Sequence, residues 1–283
     1  VNLSGVRHGK GYGVMADAVR FQLLGPVRAW VGNREVRTGS PQQRAVLAML
    51  LLHDGRSVAL DSIIEMLWGA RVPIAAAGTV RTYISRIRST FAETVEGASN
   101  LRLEAYGDGY RLVVDRSAVD IDLFRGYLTR ARMDRRCGEL VSAARWLQDG
   151  LGLWRGCPLS GIDGSTGAFG STACYFYGRI RWLEQLRSSA LEEWLAIEIE
   201  LGNFARAIEE LEEAVAADPY HERMWELLMS AQHSAGRTND ALASFRSVSQ
   251  RLDDDLGLSP GPGLSALCQR MRIDEVGRDC LRP

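Results

Sequence analysis

Residues 79–88 read TVRTYISRIR, and residues 107–112 read GDGYRL. Extended over about Gly78 to Phe91, the first stretch places Val80, Ile84, Ile87 and Phe91 at successive spacings of 4, 3 and 4, so a helix here seats one stripe on a core. Its opposite side holds Arg81, Thr82, Ser85, Arg86 and Arg88 with no acid among them, and Thr79 lies at its amino end. The second stretch belongs to Tyr106-Gly107-Asp108-Gly109, a turn signal between the strand-like runs Leu101 to Glu104 and Tyr110 to Val114. An acid-free cationic helix face is commonly just a solvated surface. Followed at once by a glycine-rich hairpin carrying Tyr110 and Arg111, it reads instead as a helix and wing for duplex DNA. A helix fits the major groove, where arginine bridges guanine O6 and N7 and hydroxyls bond bases or phosphates. Arg81, Thr82 and Ser85, earlier on the helix, are the candidates for bases; Arg86, Arg88 and Arg111 are the candidates for phosphates.

Upstream, Val19 to Leu24, Val27 to Val31 and Glu35 to Arg37 read as short strands separated by Gly25-Pro26 and Gly32-Asn33. Ser40-Pro41 supplies an N-cap and N1 proline for a helix over Gln42 to His53. Asp61 is expected to cap a second helix, Ser62 to Trp68, which Gly69 and Pro73 end. Strands, three helices and a terminal hairpin are the order of a winged helix. Beyond Asp122 the pattern is helical and repetitive: Gly202, Ala207 and Leu211 recur as Gly236, Ala241 and Phe245, 34 residues on. Gly138, Ala143 and Leu147 keep the same internal spacing. This is the period of tetratricopeptide-like helix pairs, whose small residues let antiparallel helices approach. The fold class is therefore mainly α: a winged helix-turn-helix domain with a small sheet and wing, then an all-α helical-repeat domain. A last helix is expected over about Gly263 to Arg272, after Ser259-Pro260-Gly261-Pro262.

Charge is divided along the chain. Residues 20–114 hold twelve Arg against eight acids, whereas residues 115–283 hold twenty Arg against twenty-six, a basic front before an acidic back. No apolar run is long enough for a membrane span, and residues 1–18, rich in glycine without an apolar core, read as a disordered extension rather than a signal peptide. Val1 reads as a non-AUG start, with Met15 as the other candidate. Five scattered cysteines without a CxxC pair argue against zinc or disulfides and fit a reducing cytoplasm. No nucleophile-elbow, zincin or phosphate-loop motif occurs, so no enzyme, metal or cofactor is expected. Gly161, Gly164, Gly167 and Gly170 read as a flexible loop, Trp146, Trp154, Trp182, Trp194 and Trp225 as packing anchors, and Asp253 to Asp255 as a solvated helix end.

The chain resembles the Streptomyces antibiotic regulatory protein (SARP) family over nearly all of residues 19–272. FQLLGPV at 21–27, SPQQRAVLAMLLL at 40–52, Leu67-Trp68-Gly69, TVRTYISRIR and GDGYRL carry the resemblance. LWRG at 153–156, LEEWLAIEIELGNF at 191–204 and DDLGLSPGPGL at 254–264 add to it. The resemblance implies an OmpR-type winged helix at 19–115, a bacterial transcriptional activation domain at 116–273 and a tail at 274–283. It implies an activator of secondary-metabolite (antibiotic) gene clusters that binds direct repeats in promoter DNA as a homodimer and recruits RNA polymerase holoenzyme. It makes Thr79 to Arg88 the recognition helix and turns the loop after Trp68 toward polymerase. It also implies a small member without a built-in receiver or nucleotide switch, located in the cytoplasm. The rival readings are a helical-repeat adaptor that sequesters another regulator, with only non-specific DNA affinity, and a repressor using the same DNA contacts.

Overall fold

The computed structural model describes residues 18–94, 101–162 and 171–279. Residues 1–17 of the extension expected at 1–18, Gly164, Gly167 and Gly170 of the glycine loop, and Cys280 lie outside the described residues. The chain forms two compact units: one gathers the residues up to Gly126 together with Gly152–Glu184, the other Tyr127–Leu151 with Gln185 onward.

In the first unit, β1 (Val19–Gln22), β2 (Arg28–Val31) and β3 (Arg34–Val36) form an antiparallel sheet in chain order. Helix α1 (Pro41–Leu52) starts at a complete capping box: the Gln43 N–H donates to Ser40 Oγ, and the Ser40 N–H donates to Gln43 Oε1 at 2.8 Å. Strand β4 (Val58–Ala59) runs straight into α2 (Leu60–Trp68), so the expected cap is corrected: Ala59 is the N-cap residue, and Asp61 sits inside the first turn. Strand pairing does part of the cap's work, since the Leu60 N–H donates to the Asp108 carbonyl at 3.2 Å. Gly69 ends α2 at φ 52. Helix α3 (Ala76–Thr94) starts and ends beyond the expected bounds, and β5 (Arg102–Tyr106) and β6 (Gly109–Val113) form the hairpin. The two-residue β4, too short for a periodicity signal, pairs with β6 to give the sheet order β4-β6-β5.

The corner between β1 and β2 is held from outside the winged helix. The Asp120 carboxylate, at the start of α4 (Asp120–Arg136), accepts the N–H groups of Leu23 and Leu24 at 2.9 Å. Residues 155–160 then run against the same corner. The N–H groups of Arg155, Leu159 and Ser160 donate to the carbonyls of Leu24, Leu23 and Gly25, and Val27 donates back to Ser160. Leu23 and Leu24 are fully buried, so these bonds satisfy backbone groups that no water reaches. A Cβ on Gly25 would stand 2.9 Å from that of Arg155, which explains a glycine at the crossing. Phe124 and Trp154 meet edge to face at 5.5 Å beneath it.

The second unit is built of helices: the remainder of α4, α5 (Leu140–Leu151), the remainder of α6 (Ser171–Glu200), α7 (Phe204–Ala217), α8 (Glu222–Ser234), α9 (Thr238–Leu256) and α10 (Pro262–Asp279). The repeat residues divide their labour. Gly138, Gly202 and Gly236 take φ of 83, 79 and 78, and an added Cβ at each would meet nothing, so they serve the left-handed turn that ends a helix. Close approach is left to Ala143, Ala207 and Ala241, each wholly buried. Trp194 and Trp225 are buried anchors, whereas in the first unit Trp154 is buried but Trp182 is 40% exposed, contrary to its expected packing role.

Burial pushes the Asp120 carboxyl up to about 6, outweighing the N–H groups of Leu24 and Leu23 that favour its charge. Between its ordinary pKa and that value the folded chain holds a proton that the unfolded chain releases. This group's contribution is therefore present below about pH 4 and lost as pH rises through about 6. In urea titrations, wild-type stability relative to Asp120→Asn should fall by about 2 kcal/mol from pH 4 to 6.5 and then level off. Gly109→Ala should destabilise by about 1–3 kcal/mol in the same assay, because its Cβ would lie 1.9 Å from the Val58 carbonyl oxygen.

Candidate nucleic-acid interface

Helix α3 is fixed by its apolar stripe: Ala76, Val80, Ile84, Ile87 and Phe91 are all buried, and Phe91 meets Phe21 of β1 edge to face at 5.5 Å. Tyr83 adds a polar tie, its hydroxyl donating to Gln42 Oε1 on α1 at 2.5 Å. With that side committed, Arg81, Thr82, Ser85, Arg86 and Arg88 are all exposed on the other, and Thr79 is half-buried. The first turn of α3 carries no acid, so nothing there opposes an approaching phosphate.

The hydroxyls of the helix are oriented by its own backbone. Thr79 Oγ1 donates to the Ala75 carbonyl at 3.1 Å and Thr82 Oγ1 to that of Gly78 at 2.9 Å. Each proton is thereby used, leaving lone pairs to accept. Arg81 and Arg86 make no ion pair among the described residues. Arg88 differs, because its Nε donates to the Leu103 carbonyl of β5 at 3.0 Å and so ties α3 to the hairpin.

The hairpin is stiffened at its base and open at its tip. Arg111 lies opposite Glu104 in the β5–β6 register and donates to Glu104 Oε1 through Nε at 2.7 Å and Nη2 at 2.6 Å. The same guanidinium rests 4.2 Å over the Tyr106 ring. Tyr106 itself is 54% exposed beside the Gly107-Asp108 turn, with Gly107 at φ 60. Tyr110 is half-buried, paired with Ala105 on one side and Val58 on the other. The structure thus brings Arg81, Thr82, Ser85 and Arg86 together as a free face, and engages Arg88 and Arg111 in positioning contacts. The sequence reading missed the exposed Tyr106, and also Ser57, whose hydroxyl donates to the Tyr106 carbonyl at 2.9 Å. Tyr106 lay within the turn signal, but only the Arg111 contact gives its ring a role.

Between α2 and α3, residues 69–75 form an exposed connection in which Val72 is 50% exposed and Ile74 fully so. Among the described residues, no helix is long and apolar enough to cross a membrane, and no group of His, Cys, Asp or Glu could hold a metal ion.

Residues 34–112 match the family described as transcriptional regulatory protein, C terminal, and residues 119–272 match the bacterial transcriptional activator domain. The chain is 37% identical over 261 residues to the regulatory protein AfsR of Streptomyces griseus, covering 92% of this chain but 25% of AfsR. It thus spans about a quarter of that relative's length. It is 31% identical to the transcriptional regulator RedD of Streptomyces coelicolor, covering 96% of this chain and 74% of RedD. The solved structure of Mycobacterium tuberculosis EmbR, in complex with a low-affinity phosphopeptide, superposes with a TM-score of 0.82 at 30% identity, covering 90% of this chain and 65% of EmbR. An OmpR-type domain followed by a bacterial transcriptional activator domain, shared with relatives that are transcriptional regulators, makes this chain a member of the SARP family.

Proposed function

We propose that the chain is a sequence-specific activator that binds direct repeats in promoter DNA through α3 and the β5–β6 wing. The observation that carries this reading is the free, acid-free face of Arg81, Thr82, Ser85 and Arg86 on a helix whose other side is buried. Arg81 and Ser85 read base edges. Thr82, with its proton engaged, accepts from an exocyclic amine such as adenine N6 or cytosine N4. Arg86 contacts phosphate, and Thr79 and Tyr110 line the approach. Arg88 and Arg111 hold helix and wing in register while adding positive charge at the backbone. Residues 19–115 form the DNA-binding domain and 116–273 the activation domain. Two copies bind head to tail on repeats about one helical turn apart, which puts both on one face of the duplex.

Activation follows from contact with RNA polymerase holoenzyme through the connection after Trp68. The exposed Val72 and Ile74 support this, because a solvated apolar pair on a short loop has no internal use. The targets are promoters of a secondary-metabolite cluster, and the protein works in the cytoplasm.

A footprint on the neighbouring promoters, in excess random DNA at physiological salt, should show two protected direct repeats. Arg81→Ala with Arg86→Ala should weaken that binding at least tenfold and flatten its salt dependence; unchanged protection would count decisively against the assignment. An adaptor with only non-specific affinity would protect no repeat over the competitor. In transcription with purified polymerase, Val72→Ser with Ile74→Ser should keep the footprint and lose most of the activated transcript. A repressor would instead lower the transcript of the wild-type reaction.

A further inference from the structure

In the second unit, α5 faces the corner where α6 gives way to α7 across a groove of about 370 Å³. Val141, Ala144 and Leu201 make an aliphatic wall, and Val141 is 66% exposed although it belongs to a repeat helix. The remaining lining is polar and of both signs. Glu198 is 4% exposed, and one of its oxygens accepts the Asn203 amide at 2.9 Å. Its other oxygen forms an ion pair with Arg206 Nη1 at 4.0 Å, beyond hydrogen-bond distance, so at the groove this oxygen is left with charge pairing alone.

Positive charge is arranged just as specifically. The Arg206 guanidinium lies 4.8 Å over the buried ring of Trp194, which fixes its plane. Arg145, exposed on α5, enters no ion pair among the described residues. Asn203 is the N-cap residue of α7, yet its side chain is drawn to Glu198 and makes no cap bond. The opening N–H groups of α7 therefore lack the side-chain acceptor that such a position usually supplies.

We propose that this groove binds a free aliphatic amino acid. The α-carboxylate pairs with Arg145 and Arg206 at the start of α7, the α-ammonium donates to the Glu198 oxygen that makes no hydrogen bond, and the side chain lies on Val141, Ala144 and Leu201. A molecule with an ammonium and a carboxylate on one carbon meets both an anion receptor and a cation receptor within so small a space. The volume lies at the lower end of the roughly 300–1,000 Å³ typical of small-ligand sites. The inference is independent of the DNA-binding reading, and either can fail alone.

The test is calorimetric titration of the whole chain with L-leucine, L-isoleucine, L-valine and L-methionine, beside 4-methylpentanoate and 3-methylbutylamine, which each lack one charge of leucine. At least one amino acid should bind, with a tenfold or greater loss on removing either charge. Arg145→Ala, at an exposed position that holds nothing else in place, should weaken binding at least tenfold. Glu198→Gln should do the same with an unchanged thermal melt. No binding by any of the four, equal binding of the single-charge analogues, or an unaltered affinity in Arg145→Ala would overturn the proposal.

Discussion

The buried backbone at Leu23 and Leu24 is the constraint on which the first unit depends. A chain that turns a corner inside a core must find partners for amide groups that have left water, and each one orphaned costs about 1–3 kcal/mol. Here the corner's own strands cannot supply them, because β1 ends at Gln22 and β2 begins only at Arg28. Asp120 takes two of the donors, and residues 155–160 take the carbonyls and return one. Ninety-seven residues separate Leu23 from Asp120, so the small sheet carrying the winged helix is completed by chain that lies far beyond it. Arg44 of α1 adds a further tie, donating from Nε to the Gly161 carbonyl at 2.7 Å.

From that base the recognition surface follows by subtraction. The stripe from Ala76 to Phe91 commits one side of α3 to the core, and what faces away is the set of side chains able to meet DNA. The wing is set by short-range chemistry: Gly107 permits the turn, Gly109 admits the Val58 carbonyl, and Arg111, Glu104 and Tyr106 lock its surface. Arg88 then joins helix to hairpin, so the two parts of the interface share one rigid frame.

The helical unit uses a different economy. Its turns are local, made by glycines at positive φ, and its packing depends on alanines at fixed distances from them. Helix α8 packs against both α7 and α9, and the groove at Glu198 and Arg206 lies between α5 and the corner where α6 gives way to α7. Surface ion pairs such as Arg132 with Glu193 add little to stability by comparison, on the order of 1 kcal/mol or less.

Local and periodic information was legible in the sequence. Ser40-Pro41 fixed where α1 begins, the spacing of Val80, Ile84, Ile87 and Phe91 fixed which side of α3 is free, and the 34-residue recurrence announced the helix pairs. These features depend on residues within a turn or two of one another, and their period survives in one dimension. The cap of α2, the two-residue β4, the exposure of Trp182, the guanidinium of Arg111 on Tyr106 and the strap over Leu23 and Leu24 were decided only in the tertiary structure. Each depends on which distant backbone or side chain comes to stand opposite. Asp120 resembles any acid at a helix start until the fold brings two buried N–H groups to its carboxylate.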